Sequence, residues 1–266
     1  MAGFDSSKYQ ATIQDIFHDI SLSDLSYRGK IILVRSYAEI IVRKLLNMPA
    51  NRHMELGSEQ VRNELDALGF TEPFFRDSLN TIRETSNGVY HTKKPEPVKE
   101  EKWNSVYNAL QQLFAYLFYR YFKQYRFGEN AYVMTSFSIL PPSIRYIVLD
   151  KLYVEDDQNT SVIEKLLLAK LKAFDYDTAK DWLEHEREHL SSIVIPPLVF
   201  NGVQYCEESN WYAFCSEKLE VLKEIKPIYS DFSEAKKYYS EHGPIEGNTE
   251  DTIEFNSLMD FVYIGF

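Results

Sequence analysis

Residues 81–94 read TIRETSNGVYHTKK, and Arg83, Asn87 and His91 fall four residues apart each time. On an α-helix, four-residue steps drift by only about 40°. A helical reading therefore lines the three side chains along one narrow stripe, with Leu79 and Ile82 marking the core side. Such a stripe is either an active site or a polar seam that holds helices together.

The flanking sequence supports the helix and extends it into a bundle. SLSDLSYRGKIILVRSYAEIIVRKLLNM (21–48) has apolar residues at Ile31, Ile32, Val34, Ile40, Ile41, Leu45 and Leu46, which predicts a long helix over about 27–47. In GSEQVRNELDALGF, Ser58 is the expected N-cap and Gly69 the expected stop. Thr71 and Pro73 mark the next helix start. Residues 92–102, with two prolines and many charges, read as a loop. WNSVYNALQQLFAYLFYRYFKQY (103–125) is apolar nearly all the way round, as in a central bundle helix or a subunit interface. One bundle core covers one side of it, so Leu113, Phe114, Leu117, Phe118, Tyr121 and Phe122 predict a two-fold homodimer interface.

Gly128 and Pro141-Pro142 break the pattern, which places a boundary near 128–140. Three helices are expected across 142–192, extended chain over 195–209 with a turn at Asn201-Gly202, and two further helices. The acidic, aromatic end NTEDTIEFNSLMDFVYIGF (248–266) reads as a docking tail. The fold class is mainly α: an N-terminal segment 1–26, a helical bundle 27–127, and a mostly helical, acidic domain 128–266.

Charge follows that linear division. Residues 1–26 carry 1 Lys/Arg and 4 Asp/Glu, residues 27–127 carry 16 and 11, and residues 128–266 carry 12 and 25. The segments are thus net −3, +5 and −13, for −11 in all. The asymmetry predicts that the acidic region shields the basic bundle or recruits a protein partner. No apolar run approaches the roughly 18 residues of a membrane-spanning helix, and the N-terminus has no secretory pattern. Two cysteines, Cys206 and Cys215, form no disulfide framework. A reduced, cytoplasmic protein without a cofactor is the expectation. Neither a P-loop nor GxGxxG occurs.

Three motifs in this order resemble the HEPN superfamily, in particular a HEPN-like group that occurs alone and fused to restriction and other phage-defence proteins. They are Arg35 and Glu39, four apart in the first long helix; Ile82-Arg83, two residues, then Ser86-Asn87; and, after three more residues, His91. The resemblance covers about 27–125. It implies an antiparallel helical bundle that commonly dimerises, and an activity on RNA as a metal-independent endoribonuclease in a defence or toxin setting. Seven residues separate Arg83 from His91, Glu84 follows the Arg, and Ser86 stands where the group has glycine; all three depart from the pattern.

The chemistry is coherent from the side chains themselves. His91 titrates near neutrality and can exchange the 2′-hydroxyl proton. Arg83 stays charged and can hold phosphate oxygens. Asn87 can orient the His or bind phosphate, and Lys93 and Lys94 can attract the backbone. The competing reading is a non-catalytic, dimeric interaction protein whose stripe is a satisfied network, with Glu39 pairing Arg83. A remote alternative is a zinc hydrolase built on His185-Glu186-Arg187-Glu188-His189, with Glu207 or Glu208 as a third ligand. The charged residues inside that motif suit a solvated helix face better, and Cys215 reads as a core residue.

Overall fold

A computed structural model describes residues 3–22, 24–90, 96–197, 199–200, 203–204, 207–229 and 231–265. Among them the chain is mainly helical. Helices α1 (Gln10–Ser21), α2 (Tyr27–Leu45), α3 (Glu59–Ala67), α4 (Pro73–Tyr90) and α5 (Glu100–Gln124) come first. Their ends follow local chemistry. Ser26 Oγ accepts the Gly29 N–H, and Ser58 Oγ accepts the Val61 N–H, each at 3.3 Å. Gly69 adopts φ 76° just past α3, a conformation that costs other residues more. α5 begins at Glu100, inside the stretch that reads as loop, because Glu100 and Glu101 complement the positive end of the helix.

The chain forms two compact units: Met1–Arg120 with Tyr239–Phe266, and Tyr121–Tyr238. The first therefore includes α13 (Glu250–Tyr263), the segment that the sequence reads as a docking tail. It is a core helix instead. Phe255, Met259, Phe261, Val262 and Tyr263 are fully buried, while Ile253 stays exposed. Phe255 lies 5.4 Å from Phe118, ring to ring, and Phe261 lies 6.2 Å from Tyr37. Tyr37 also meets Phe114 and Phe17 edge-on, both at 5.1 Å. Its hydroxyl donates to the carbonyls of Phe261 (3.2 Å) and Val262 (3.3 Å), which the helix itself leaves unpaired at its end.

This division changes two sequence expectations. The units carry 15 Lys/Arg against 21 Asp/Glu and 14 against 19, so they are net −6 and −5. The acid–base contrast comes from cutting the chain at 128 and does not survive the fold. Leu113, Phe114, Leu117, Phe118, Tyr121 and Phe122 are also all buried within the single chain, so α5 leaves no surplus apolar face for a second copy.

In the second unit, α6 (Ala131–Phe137), α7 (Pro142–Glu155), α8 (Thr160–Ala173), α9 (Tyr176–His185), α10 (Arg187–Ser192), α11 (Trp211–Leu222) and α12 (Phe232–His242) follow in order, α12 ending across the unit border. The boundary falls inside α5 rather than at Gly128. Phe122 packs on Phe127 and Phe137 at 4.8 and 5.5 Å, which ties the last turn of α5 to this unit. Gly128, at φ 98°, lies in the turn between α5 and α6 rather than at the unit border. Ile163, Leu167, Leu183, Cys215 and Leu219 form a core cluster. Burial pushes the Cys215 thiol up to about 12, so it is an inert core group. Strand β1 (Val194–Ile195) pairs with β4 (Ser209–Asn210), and β2 (Val199–Phe200) with β3 (Val203–Gln204), both antiparallel. Asn201 and Gly202, the expected turn, lie between β2 and β3 but outside the described residues, as does Cys206.

Buried phenols make an alkaline prediction. Burial first, joined by Glu72 and Asp260 respectively, holds Tyr116 and Tyr239 above their ordinary value of 10.0, and burial does the same for Tyr37. Up to that pH they are protonated in both folded and unfolded chains. Above it the unfolded phenols ionise first, so stability falls as pH rises. Lys44 has the opposite sign: burial holds it below 10.5, so it adds stability only as pH climbs toward 10.5. The urea midpoint should therefore drop beyond pH 10.5, and drop less in Tyr37→Phe. An alkaline limb indifferent to that substitution would contradict the buried phenol.

Candidate functional site

α2 packs against α4, and their polar contact is built around Arg35. Arg35 Nη1 donates to Asn87 Oδ1 at 2.5 Å and to Ser86 Oγ at 3.0 Å, while Nε donates to Glu39 Oε1 at 3.2 Å. Ser86, fully buried, uses its own proton on the Arg83 carbonyl, 3.0 Å away. A hydroxyl can donate once and still accept, so the seam closes without an orphan at Ser86. The structure thus brings together Arg35, Glu39, Ser86 and Asn87. The expected Glu39–Arg83 pair is not formed. Glu39 sits one turn from Arg35 on its own helix and is taken by it.

Arg83 turns the other way. Its Nη2 donates to Glu84 Oε1 at 2.9 Å. Its aliphatic stem lies on Gly57, where an added Cβ would come within 2.6 Å of Arg83 Cδ. It lines a cavity of about 50 Å³ with Arg62, Arg76, Asn80, Leu65 and Leu79. Arg76, Asn80 and Arg83 stand at i, i+4 and i+7 of α4 and so share a face. Helical spacing alone carried that signal; what it lacked was Arg62, from α3, on the opposite wall.

The end of α4 is pinned by Arg28, which donates to the Val89 carbonyl and, through Nη2 at 3.2 Å, to the Glu96 carbonyl. A cation here also suits the negative end of the helix. A second, wider concavity of about 500 Å³ opens there, lined by Tyr27, Arg28, Lys30, Pro97 and Val98 among others. Tyr27 stacks on Trp103 at 6.4 Å with planes 15° apart, and Lys30 Nζ lies 5.8 Å from the Trp103 ring. His91, Lys93 and Lys94, the remaining expected site residues, lie outside the described residues.

The His185–His189 motif does not form a metal site. α9 ends at His185, Glu186 is the junction, and α10 starts at Arg187, so the motif does not run along one helix. Glu186 Oε2 accepts from the Tyr153 hydroxyl at 2.7 Å. His189 Nε2 lies 3.0 Å from the Asp157 carbonyl, an acceptor only, so that nitrogen carries the proton and offers no lone pair. Among the described residues no three His, Cys, Asp or Glu side chains converge to hold a metal. No helix among them is long and apolar enough to cross a membrane.

Comparison of the chain with protein-family models, with curated proteins and with solved structures returned no match.

Proposed function

We propose that the first unit is a HEPN-like bundle that acts on RNA, and that it cleaves RNA without a metal. The observation that carries this reading is the concavity at the end of α4. Arg28, Lys30 and Tyr27 line it together with one carboxylate, Asp24, and Tyr27 stacks on Trp103 behind it; cations beside an aromatic ring are what single-stranded nucleic acid uses for its phosphates and bases. The sequence continues from α4 directly into His91, Lys93 and Lys94. In this mechanism His91 removes the 2′-hydroxyl proton and the 2′-oxygen attacks phosphorus. The P–O5′ bond breaks, a 2′,3′-cyclic phosphate forms, and the leaving oxygen takes a proton to end as a 5′-hydroxyl. Arg83 anchors a neighbouring phosphate. Along α4 it stands about 10 Å from Tyr90, with its stem lying on Gly57. A composite cleft between two copies, as the resemblance implies, would bring the groups together.

The test is cleavage of RNA by the purified chain in EDTA, with the product ends identified. Retained cleavage with cyclic-phosphate ends supports the reading; cleavage only with added metal, or none across varied RNAs, sinks it. Light scattering at tens of micromolar tests the composite cleft, for which a monomer is the adverse result. One observation favours a second reading, a non-catalytic interaction domain: Asn87 Oδ1 accepts from Arg35 across α2 and α4, as in a structural seam.

A further inference from the structure

We propose that Arg62, Arg76 and Arg83 form a binding site for a terminal phosphoryl group; it shares Arg83 with the proposed nuclease, while Arg62 and Arg76 belong to this site alone. Three arginines from α3 and α4 line one cavity together with Leu65 and Leu79. Such convergence is unfavourable unless an anion relieves it. Two of the three have counter-ions, but on the outside. Asp66 pairs with Arg76, and Glu84 with Arg83, yet the carboxylate side chains are 57% and 70% exposed against 20% and 26% for their arginines. Water screens such pairs heavily. Arg62 makes no side-chain hydrogen bond or ion pair among the described residues.

An independent observation points the same way. Arg83 Nε is buried with no hydrogen-bond partner. Buried N–H groups nearly always have one, so an orphan beside a cationic cavity marks a place where an acceptor belongs. The neighbouring donors are suited to oxygen: planar guanidinium forks, which match phosphate edge-on, and the Asn80 amide. Three cations favour a doubly charged phosphate monoester over a single carboxylate. The cavity of about 50 Å³ suits the phosphoryl group alone, so the remainder of the ligand extends outside it.

Gly57 completes the site. A side chain there would strike Arg83 Cδ, so the glycine lets the Arg83 stem lie flat and hold its guanidinium over the cavity. The site can thus be disturbed without touching a charge.

Isothermal titration of the full chain tests the proposal, with inorganic phosphate, adenosine 5′-monophosphate, adenosine, and one oligoribonucleotide carrying either a 5′-phosphate or a 5′-hydroxyl. Phosphate and the monophosphate should bind saturably at fixed ionic strength and adenosine should not. Arg62→Gln, at an exposed position, should keep the fold and weaken phosphate binding about tenfold or more. Gly57→Ala should weaken it as well, with net charge unchanged. A 5′-phosphorylated oligomer that binds tighter than the monophosphate identifies an RNA end as the source; equal affinity identifies a small molecule. Phosphate that binds no better than chloride overturns the site, as does wild-type affinity in folded Arg62→Gln. A loss of phosphate binding with cleavage intact would separate this site from the proposed nuclease.

Discussion

Phe261→Ala should destabilise the protein by about 3–5 kcal/mol, the range for removing a large buried ring. The ring is fully buried and lies 6.2 Å from Tyr37 and 6.1 Å from Phe4. Lys44 Nζ sits 4.6 Å from its centroid. Among the described residues no carboxylate pairs with the half-buried ammonium, which relies on the negative faces of Phe261 and Phe4. Truncation therefore opens a void and strands a cation over it. Ile253→Ala, on the exposed side of the same helix, should stay within about 0.5 kcal/mol. Urea unfolding of both variants measures the contrast. Equal, small losses would mean that α13 is the detachable tail its acidic composition suggests.

The second large effect lies in the cleavage assay and separates chemistry from architecture. If the proposed cleavage holds, His91→Ala should slow it about 10²-fold or more by removing the proposed proton-transfer group. Arg83→Ala should cost a similar factor through lost charge stabilisation, with little change in the urea midpoint, because Arg83 bonds only an exposed neighbour. Arg35→Ala should do the reverse at first hand. It removes the hydrogen bonds that Arg35 makes to Ser86, Asn87 and Glu39, so stability falls by about 1–3 kcal/mol and activity follows. Asn87→Ala should show a weaker form of the same loss. If Arg83→Ala and His91→Ala both cleave at the wild-type rate, the polar stripe is architecture throughout.

Those contrasts follow what was legible in the sequence. Ser58, Gly69 and Pro73 announce helix ends through backbone chemistry that acts within a few residues, and α3 and α4 begin or end as they predict. The regular spacing of Arg83 and Asn87 likewise places both on α4. Their partners could not be read locally. Arg35 and Asn87 are 52 positions apart, and nothing in either segment says that Arg35 rather than Glu39 will meet α4. The direction of the Arg83 side chain depends on Gly57, a residue that its own helix does not contain. For α13, the periodic Phe255, Met259 and Val262 were present, but six acidic residues in the last 28 outweighed them in a reading by composition. The charge contrast between halves was an effect of cutting a chain that returns to its first unit.

That return also orders events during synthesis. The ribosome delivers residues 1–120, then all of 121–238, and only then the segment that packs on Tyr37, Phe114 and Phe118. At typical elongation rates the interval is on the order of ten seconds. Throughout it, the first helices carry an uncovered aromatic surface, whereas the intervening unit has its own complete core and can fold as it emerges. The exposure of this surface to aggregation and to chaperones thus lasts until α13 is made, and slowing translation through 121–238 would lengthen it.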